Sequence, residues 1–173
     1  MLIAMAGLPG SGKSTVAEQL ARQWGIAVVS VDPLESAILR AGIDDDQPTG
    51  LAAYLVAETI ADAVLRAGQS IIVDAVNAVA PARDQWVLLA DRIGVEVRFI
   101  ETFCSDAAVH RQRLEERRRD LVHLAEPTWH AVEQSLDEYD AWSGLAGARP
   151  RLTLDTMAPL PELVERAATF LRS

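Results

Sequence analysis

The chain has few positive charges and almost no lysine. Lys13 is the only lysine among the 173 residues, and every other basic residue is an arginine. Asp and Glu number 25 against 16 Lys and Arg, which gives a formal net charge of −9 at pH 7. Proteins that bind nucleic acids normally carry a basic face, because contacts to the phosphate backbone supply much of the affinity. The acidic balance therefore argues against a general nucleic-acid partner.

Cysteine and long apolar runs are also scarce. Cys104 is the only cysteine, which excludes an intrachain disulfide, and it ends an apolar segment where we expect a buried, unreactive thiol. No apolar run approaches the ~20 residues needed to cross a bilayer, and the N-terminal apolar segment lacks the basic flank of a signal peptide. We expect a cytoplasmic protein with no membrane partner. Its length and hydrophobic content predict one domain over residues 1–173.

The lone lysine lies in a glycine-rich segment. Residues 7–14 are Gly-Leu-Pro-Gly-Ser-Gly-Lys-Ser, a full match to the phosphate-binding loop of nucleotide triphosphatases and kinases. The segment follows an apolar strand, Leu2 to Ala6, and precedes an amphipathic helix, Ser14 to Trp24. This context directs backbone N–H groups and the positive end of a helix at one anionic site.

These residues predict a site for ATP and Mg²⁺. The compact ammonium of Lys13 can reach between β- and γ-phosphate oxygens, where a planar guanidinium would not fit. The hydroxyl of Ser14 is expected to ligate Mg²⁺. The candidate cofactor-binding residues in this part of the chain are Gly7, Leu8, Pro9, Gly10, Ser11, Gly12, Lys13, Ser14 and Thr15.

Strand and helix patterns alternate along the rest of the chain. Strands are predicted at 2–6, 27–31, 70–73, 95–102 and 151–154, with helices between them. This alternation predicts an α/β domain with a single doubly wound five-stranded parallel sheet. Ligands bind such a sheet outside the carboxyl ends of its strands, so polar residues at those ends are the functional candidates.

Two aspartates stand at predicted strand ends. Asp74 follows the third strand, where a carboxylate can hold Mg²⁺ directly or through water, so Ser14 and Asp74 are the predicted metal ligands. Asp32 follows the second strand, where it can accept the proton of an attacking hydroxyl. Each has a structural alternative: Asp74 as a turn cap, and Asp32 as the N-cap of a helix that begins at Pro33. Asn77 is a further polar candidate, three residues after Asp74.

Arginines cluster between residues 111 and 119, where they occupy five of nine positions. Arg113 and Arg117 lie four residues apart and share a helical face. Phosphoryl transfer needs positive charge on the γ-phosphate, and small kinases often supply it from a mobile lid, which we expect at about residues 111–127. The alternative is a solvated helix with ion pairs such as Arg111 to Glu115. The lid is favoured because the arginines outnumber the acids available to pair with them.

These segments together resemble the small P-loop kinases of the AAA_33 type. The resemblance spans nearly the whole chain and depends on residues 7–15, Asp32, Val-Asp-Ala-Val-Asn at 73–77, and Arg-Leu-Glu-Glu-Arg at 113–117 followed by Pro127. That superfamily is similar to adenylate kinase in fold and includes polynucleotide 5′-kinases, chloramphenicol phosphotransferase and gluconate kinases. The resemblance implies that Asp32 activates the acceptor and that Arg113 and Arg117 contact the nucleotide. Lys13, Asp32 and Arg117 are thus the expected catalytic residues.

The acceptor side departs from subfamilies that phosphorylate anions. Polynucleotide kinases carry an arginine three residues after the catalytic aspartate, whereas this chain has Glu35, and Arg40 is the only basic residue between positions 32 and 47. The expected acceptor-binding residues are Asp32, Glu35 and Asn77, and the expected acceptor is a hydroxyl of a small neutral or cationic molecule. Two alternatives stay open: a nucleoside, nucleotide or polynucleotide 5′-hydroxyl kinase, and an ATPase or switch module that acts through a protein partner.

Overall fold

Five strands, each followed by one to three helices, make up the part of the chain that the structure describes. The structure, a computed structural model, describes residues 1–44, 46–117, 121, 124, 126–137 and 139–173. The strands are β1 (Leu2–Ala6), β2 (Ala27–Ser30), β3 (Ile71–Asp74), β4 (Val97–Phe103) and β5 (Arg151–Asp155). The helices are α1 (Lys13–Trp24), α2 (Val31–Arg40), α3 (Thr49–Arg66), α4 (Ala80–Ile93), α5 (Ala107–Glu116), α6 (Trp129–Asp137), α7 (Gly144–Gly147) and α8 (Leu160–Arg172).

The strands form one parallel sheet in the order β2-β3-β1-β4-β5. In this register Asp74 is level with Met5 on one side and with Ser30 on the other. The carboxyl ends of β1, β2 and β3 therefore meet at one edge of the sheet. The predicted doubly wound parallel sheet is confirmed, and its order places the phosphate loop beside Asp74.

Both faces of the sheet are buried. Along β1, Leu2 and Ala4 pack in the core under α3 and α4, whereas Ile3 and Met5 pack in the core under α1 and α8. This alternation is the period of two expected of a strand covered on both sides. Helices thus cover each face of the sheet with apolar side chains, and the site at the sheet edge lies beside this packed core.

The second strand ends earlier than its sequence predicts. α2 begins at Val31, so Asp32 lies in the first turn of this helix, and Ser30 takes the N-cap position. Pro33 is accommodated in that turn because the first N–H groups of a helix have no intrahelical partner. The interpretation of Asp32 as an N-cap is therefore wrong, and its side chain belongs to the start of a helix.

Two other expectations concern the surface of the chain. Cys104, predicted to be buried, is only partly buried, because it comes just after β4 has left the sheet. Among the helices of the described residues, none is both long and apolar enough to cross a membrane.

Candidate active site

The phosphate loop joins β1 to α1 at the carboxyl edge of the sheet. Gly7 has a φ of 140°, and a Cβ at this position would lie 2.4 Å from the carbonyl oxygen of Thr102. No larger residue fits there without moving the backbone of β4. Gly12 occupies the N-cap position of α1 with a φ of 85°. The first turn of α1, with its unpaired N–H groups and the positive end of the helix dipole, thus begins at the loop.

Side chains from β4 and α5 hold the loop in place. The hydroxyl oxygens of Ser11 and Thr102 are 2.9 Å apart and hydrogen-bonded. His110 Nε2 lies 2.8 Å from the carbonyl oxygen of Pro9, and since a carbonyl only accepts, this nitrogen carries the proton. The imidazole also packs edge-on against Trp129, with ring centroids 5.3 Å apart. These contacts preorganise the loop before any ligand is bound.

Lys13 and Asp74 form a buried ion pair beneath the loop. Lys13 Nζ lies 3.4 Å from Asp74 Oδ1, and the two side chains are 6% and 5% exposed. Ser30 donates a hydrogen bond of 3.1 Å to the other carboxylate oxygen, Asp74 Oδ2. The parallel register explains this grouping, because Ser30 and Asp74 are level on neighbouring strands. The structure thus brings together the predicted phosphate ligand and the predicted metal ligand.

The same carboxylate suits a divalent cation. Among the residues that the structure describes, no group donates a hydrogen bond to Asp74 Oδ1, although the atom is buried. A buried carboxylate oxygen beside a phosphate loop is a suitable ligand for Mg²⁺, which prefers oxygen and is commonly held by one or two protein side chains plus phosphates. The described part of the chain has no cluster of three or more metal-binding side chains. The hydroxyl of Ser14, which lines the crevice described next, is the second ligand that the sequence predicts.

A crevice of about 540 Å³ opens at the phosphate loop. This volume falls in the range of sites that hold small organic ligands. Gly7 and Pro9 do not line it; they shape the loop, and the Gly7 N–H donates to the carbonyl oxygen of Val76 at 3.0 Å. The predicted residues that do line it are Leu8, Gly10, Ser11, Gly12, Lys13, Ser14, Thr15, Arg113 and Arg117.

The two predicted lid arginines reach the crevice in different ways. Arg113, on α5, donates hydrogen bonds to Thr156 Oγ1 at 2.8 Å and to the Thr156 carbonyl at 3.1 Å. Arg117, directly after α5, lies 3.9 Å from Asp32 and 3.8 Å from Glu126. Both residues line the same crevice as the phosphate loop. The lid itself stays a prediction, because six residues between 118 and 125 lie outside the described residues.

The predicted acceptor carboxylates lie on α2, three residues apart. Asp32 contacts Arg117, which connects it to the nucleotide crevice. Glu35 Oε1 accepts a hydrogen bond of 2.9 Å from the hydroxyl of Thr49 at the start of α3. The alternative pairing of Arg111 with Glu115 is also present, at 2.7 Å on the exposed side of α5.

Tyr54, on α3, lies close to all three candidate carboxylates. Burial raises the pKa of its phenol to about 12; the N–H of Asn77 opposes this rise, and the negative charges of Asp32, Asp74 and Glu35 add to it. The phenol oxygen accepts a hydrogen bond from that N–H at 3.2 Å. At neutral pH the phenol therefore keeps its proton and can donate it to an oxygen of a bound molecule.

Asn77 does not reach the crevice. Its side chain is fully buried, with Nδ2 donating to the Met5 carbonyl at 2.7 Å and Oδ1 accepting from Trp86 Nε1 at 3.0 Å. Its backbone has a φ of 50°, a conformation that asparagine tolerates better than most residues. We expected Asn77 to bind the phosphoryl acceptor, and the structure contradicts this. Its amide connects β1 to α4, and both its nitrogen and its oxygen are hydrogen-bonded to the protein.

Three residues of this region were missed by sequence reasoning. Thr102 ends the strand predicted at 95–102 and is the next-to-last residue of β4, so the rule that selected Asp74 at the third strand end also applies to it. His110 and Tyr54 carry no comparable signal, because their partners are distant in sequence: 101 residues separate His110 from Pro9, and 23 separate Tyr54 from Asn77. Only the folded sheet edge brings these pairs together.

The family is decided by a match over most of the chain. A model of the AAA domain family AAA_33 matches residues 2–142, which include the phosphate loop, Asp32, Asp74 and both crevice arginines. The chain belongs to the AAA_33 family. The resemblance predicted from the sequence is thereby confirmed. No curated protein sequence matches this AAA_33 chain significantly.

Solved structures share the fold of this AAA_33 chain over nearly its whole length. A sugar kinase from Janibacter sp. is 23% identical and has a TM-score of 0.73, over 99% of this chain and 94% of that chain. A gluconokinase from Sinorhizobium meliloti is 22% identical with a TM-score of 0.65, over 98% and 90%. Kti12 from Chaetomium thermophilum, solved with ADP-AlF3, is 18% identical with a TM-score of 0.71, over 98% of both chains. At these identities the likeness shows that the chains share one fold.

Proposed function

We propose that this chain is an ATP- and Mg²⁺-dependent phosphotransferase that moves the γ-phosphate to a hydroxyl of a small neutral or cationic molecule. The observation that carries the proposal is a chain of contacts: Lys13 and the loop line a crevice that Arg117 also lines, and Arg117 contacts Asp32. A phosphate site connected in this way to a carboxylate at a sheet edge is what transfer to a hydroxyl requires. The proposed partners are the nucleotide and a soluble acceptor.

On the nucleotide side, the chain supplies fixed positive charge. The loop N–H groups would hold the phosphates, and Lys13, Arg113 and Arg117 would stabilise the negative charge that spreads over the transferred group. Ser14 and Asp74 would hold Mg²⁺, which neutralises phosphate charge when bound. Lys13 would then exchange part of its contact with Asp74 for a contact with phosphate oxygen.

On the acceptor side, Asp32 is the proposed base. Its carboxylate would take the proton of the acceptor hydroxyl as that oxygen bonds to the γ-phosphorus. The bond between the γ-phosphorus and the β–γ bridging oxygen breaks, and ADP leaves with the electron pair. The products are ADP and the phosphorylated acceptor, with the proton held on Asp32. Tyr54 is a candidate hydrogen-bond donor to the acceptor.

A second candidate is an ATPase or switch module that acts through a protein partner. Kti12, which shares the fold of this chain, was solved with ADP-AlF3 and is not named as a kinase. This likeness supports the second candidate. The two functions differ in what stimulates ADP release. A phosphotransferase needs a hydroxyl acceptor, whereas a switch module hydrolyses ATP without one.

The test is a coupled ADP-release screen of the purified chain with MgATP. The acceptors are nucleosides, sugars, sugar alcohols and aminoglycosides, each compared with a reaction that lacks acceptor, and Lys13→Met is the blank. ADP release stimulated by one compound class, with a phosphorylated product found by mass spectrometry, would support the phosphotransferase. ADP release that no acceptor stimulates would favour the switch module. No release under any condition would refute both functions.

A further inference from the structure

Arg117 contacts both halves of the proposed active site. It lines the nucleotide crevice, and its side chain is only 17% exposed. Arg117 Nη2 lies 3.9 Å from Asp32 Oδ2, and Nη1 lies 3.8 Å from Glu126 Oε2. The guanidinium that is placed to meet a triphosphate therefore also lies against the carboxylate proposed as the base.

Arg117 lies farther from Asp32 and Glu126 than Arg113 lies from Thr156. Arg113 is fixed by hydrogen bonds of 2.8 Å and 3.1 Å to Thr156. Arg117 lies beyond hydrogen-bond distance from Asp32 and Glu126, so these two contacts are charge attractions without a shared proton. A phosphate group that accepts two parallel N–H bonds is a stronger partner for a guanidinium than such a contact. A triphosphate bound in the crevice would therefore compete with both carboxylates for Arg117.

We propose that Arg117 couples the two substrate sites by exchanging Asp32 for the terminal phosphate of a bound nucleoside triphosphate. While Arg117 lies against Asp32, the carboxylate is screened from the acceptor hydroxyl. A triphosphate draws the guanidinium away and leaves Asp32 able to accept a proton, so the base becomes available only when a γ-phosphate is present. This inference builds on the proposed function, because it assumes that the crevice binds a nucleoside triphosphate.

The exchange has a consequence that does not depend on knowing the acceptor. If Asp32 competes with phosphate for Arg117, removing the carboxylate must tighten triphosphate binding. ADP, which lacks the γ-phosphate, must gain less. Neutralising Asp32 also removes general repulsion of an anion, so a control of equal charge is needed. Glu35→Gln removes one negative charge from the same helix, three residues away, without removing an ion pair to Arg117.

The experiment is calorimetry of the full chain with the magnesium complexes of β,γ-imido-ATP and ADP. The variants are Asp32→Asn, Glu35→Gln, Arg117→Gln and the double variant Asp32→Asn with Arg117→Gln. We expect Asp32→Asn to bind β,γ-imido-ATP about fivefold more tightly than the wild type, the upper end of what a partly exposed ion pair is worth. Glu35→Gln, ADP, and Asp32→Asn in the Arg117→Gln background should each change by about twofold or less.

Each result decides the inference. Equal gains in Asp32→Asn and Glu35→Gln would reduce the effect to general charge and overturn the exchange, as would a gain that persists without Arg117. If Asp32→Asn does not fold, Glu126→Gln removes the other carboxylate of the pair, and it should tighten triphosphate binding in the same Arg117-dependent way. A wild-type chain that fails to bind β,γ-imido-ATP would instead refute the proposed function.

Discussion

Lys13 Nζ lies 3.4 Å from Asp74 Oδ1, with both side chains almost fully buried where the phosphate loop meets the end of β3. The pair joins the residue predicted to hold phosphate with the residue predicted to hold the metal. A buried ion pair contributes little net stability, but loss of one partner leaves the other charge desolvated and costs about 3 kcal/mol or more. The proposed chemistry and the stability of the sheet edge therefore depend on the same two side chains.

Lys13→Met tests both roles. Turnover should fall about 10²- to 10³-fold, because one preorganised charge on the transferred phosphoryl group is worth about 3–4 kcal/mol. The free energy of unfolding should fall by about 3 kcal/mol, because Asp74 loses its partner. Adding Asp74→Asn should restore most of the stability and none of the activity, as measured by urea unfolding and ADP release. Wild-type turnover with a native circular dichroism spectrum would refute the assignment of Lys13.

Asp32→Asn separates proton transfer from binding. An amide cannot accept the proton of the acceptor, so phosphate transfer should fall about 10²- to 10⁴-fold with the best acceptor of the screen. ATP should still bind in calorimetry, since the loop and Lys13 are unchanged. If Mg²⁺-dependent ATP affinity collapses instead, Asp32 serves the metal and not the acceptor.

The phosphate side of the site could be predicted from the sequence because its information is local. The spacing within residues 7–14 specifies the loop, and the position of Asp74 at the end of an apolar strand places it at the same sheet edge. The parallel register then brings Asp74 to the phosphate loop, because it sets Asp74 level with Met5 and Ser30. Alternating strands and helices sufficed for the sheet, because such a pattern has few solutions.

The acceptor side could not be predicted in the same way. Asn77 and Asp74 look alike in sequence, as polar residues near one strand end. What separates them is the neighbour of each: Asn77 meets Trp86 and the Met5 carbonyl, and these partners take both ends of its amide. Tyr54 gave no signal, because its position near Asp32 depends on how α3 packs beside α2.

Asn77→Ala should destabilise the fold. The change removes a hydrogen bond to the Met5 carbonyl, takes the acceptor away from the buried Trp86 indole N–H, and places alanine at a φ of 50°. We expect the free energy of unfolding to fall by about 2–4 kcal/mol in urea denaturation. Thr49→Ala, which removes a single hydrogen bond to Glu35, is the control and should cost about 1 kcal/mol. Unchanged stability with a selective loss of acceptor affinity would mean that Asn77 binds the acceptor after all.

Tyr54→Phe should alter the stability at high pH. Burial raises the pKa of Tyr54 from 10.0 to about 12, so the folded chain holds its proton at a pH where the unfolded chain has lost it. The stability from this group is present below about pH 10 and is lost as the pH rises towards about 12, with a slope of at most about 1.4 kcal/mol per pH unit. Urea unfolding from about pH 8 to 11.5 should show a steeper decline for the wild type than for Tyr54→Phe.

The other tyrosine, Tyr139, does not affect the comparison of the wild type with Tyr54→Phe. Burial raises the pKa of Tyr139 as well, and this residue is present in both proteins, so its contribution cancels in the difference. Parallel curves for the wild type and Tyr54→Phe would mean that the phenol ionises normally in the folded chain. The proposal that Tyr54 stays protonated beside three carboxylates would then fail.

We expect the side chains of α2 to select the charge of the proposed acceptor. Asp32 and Glu35 place two carboxylates on the acceptor side, and an uncompensated like-charge contact at about 4 Å costs on the order of 1–4 kcal/mol. Among matched acceptors in the screen, a neutral or cationic compound should exceed its phosphorylated or carboxylated analogue in kcat/KM by about tenfold or more. Glu35→Gln should narrow this ratio. Glu18→Gln, which alters the lining of the nucleotide crevice, should leave the ratio unchanged because both analogues use the same ATP. A best acceptor that carries a phosphate or carboxylate beside its reacting hydroxyl would refute this assignment, and an improvement of that acceptor by Glu35→Arg would identify Glu35 as the residue that opposes it.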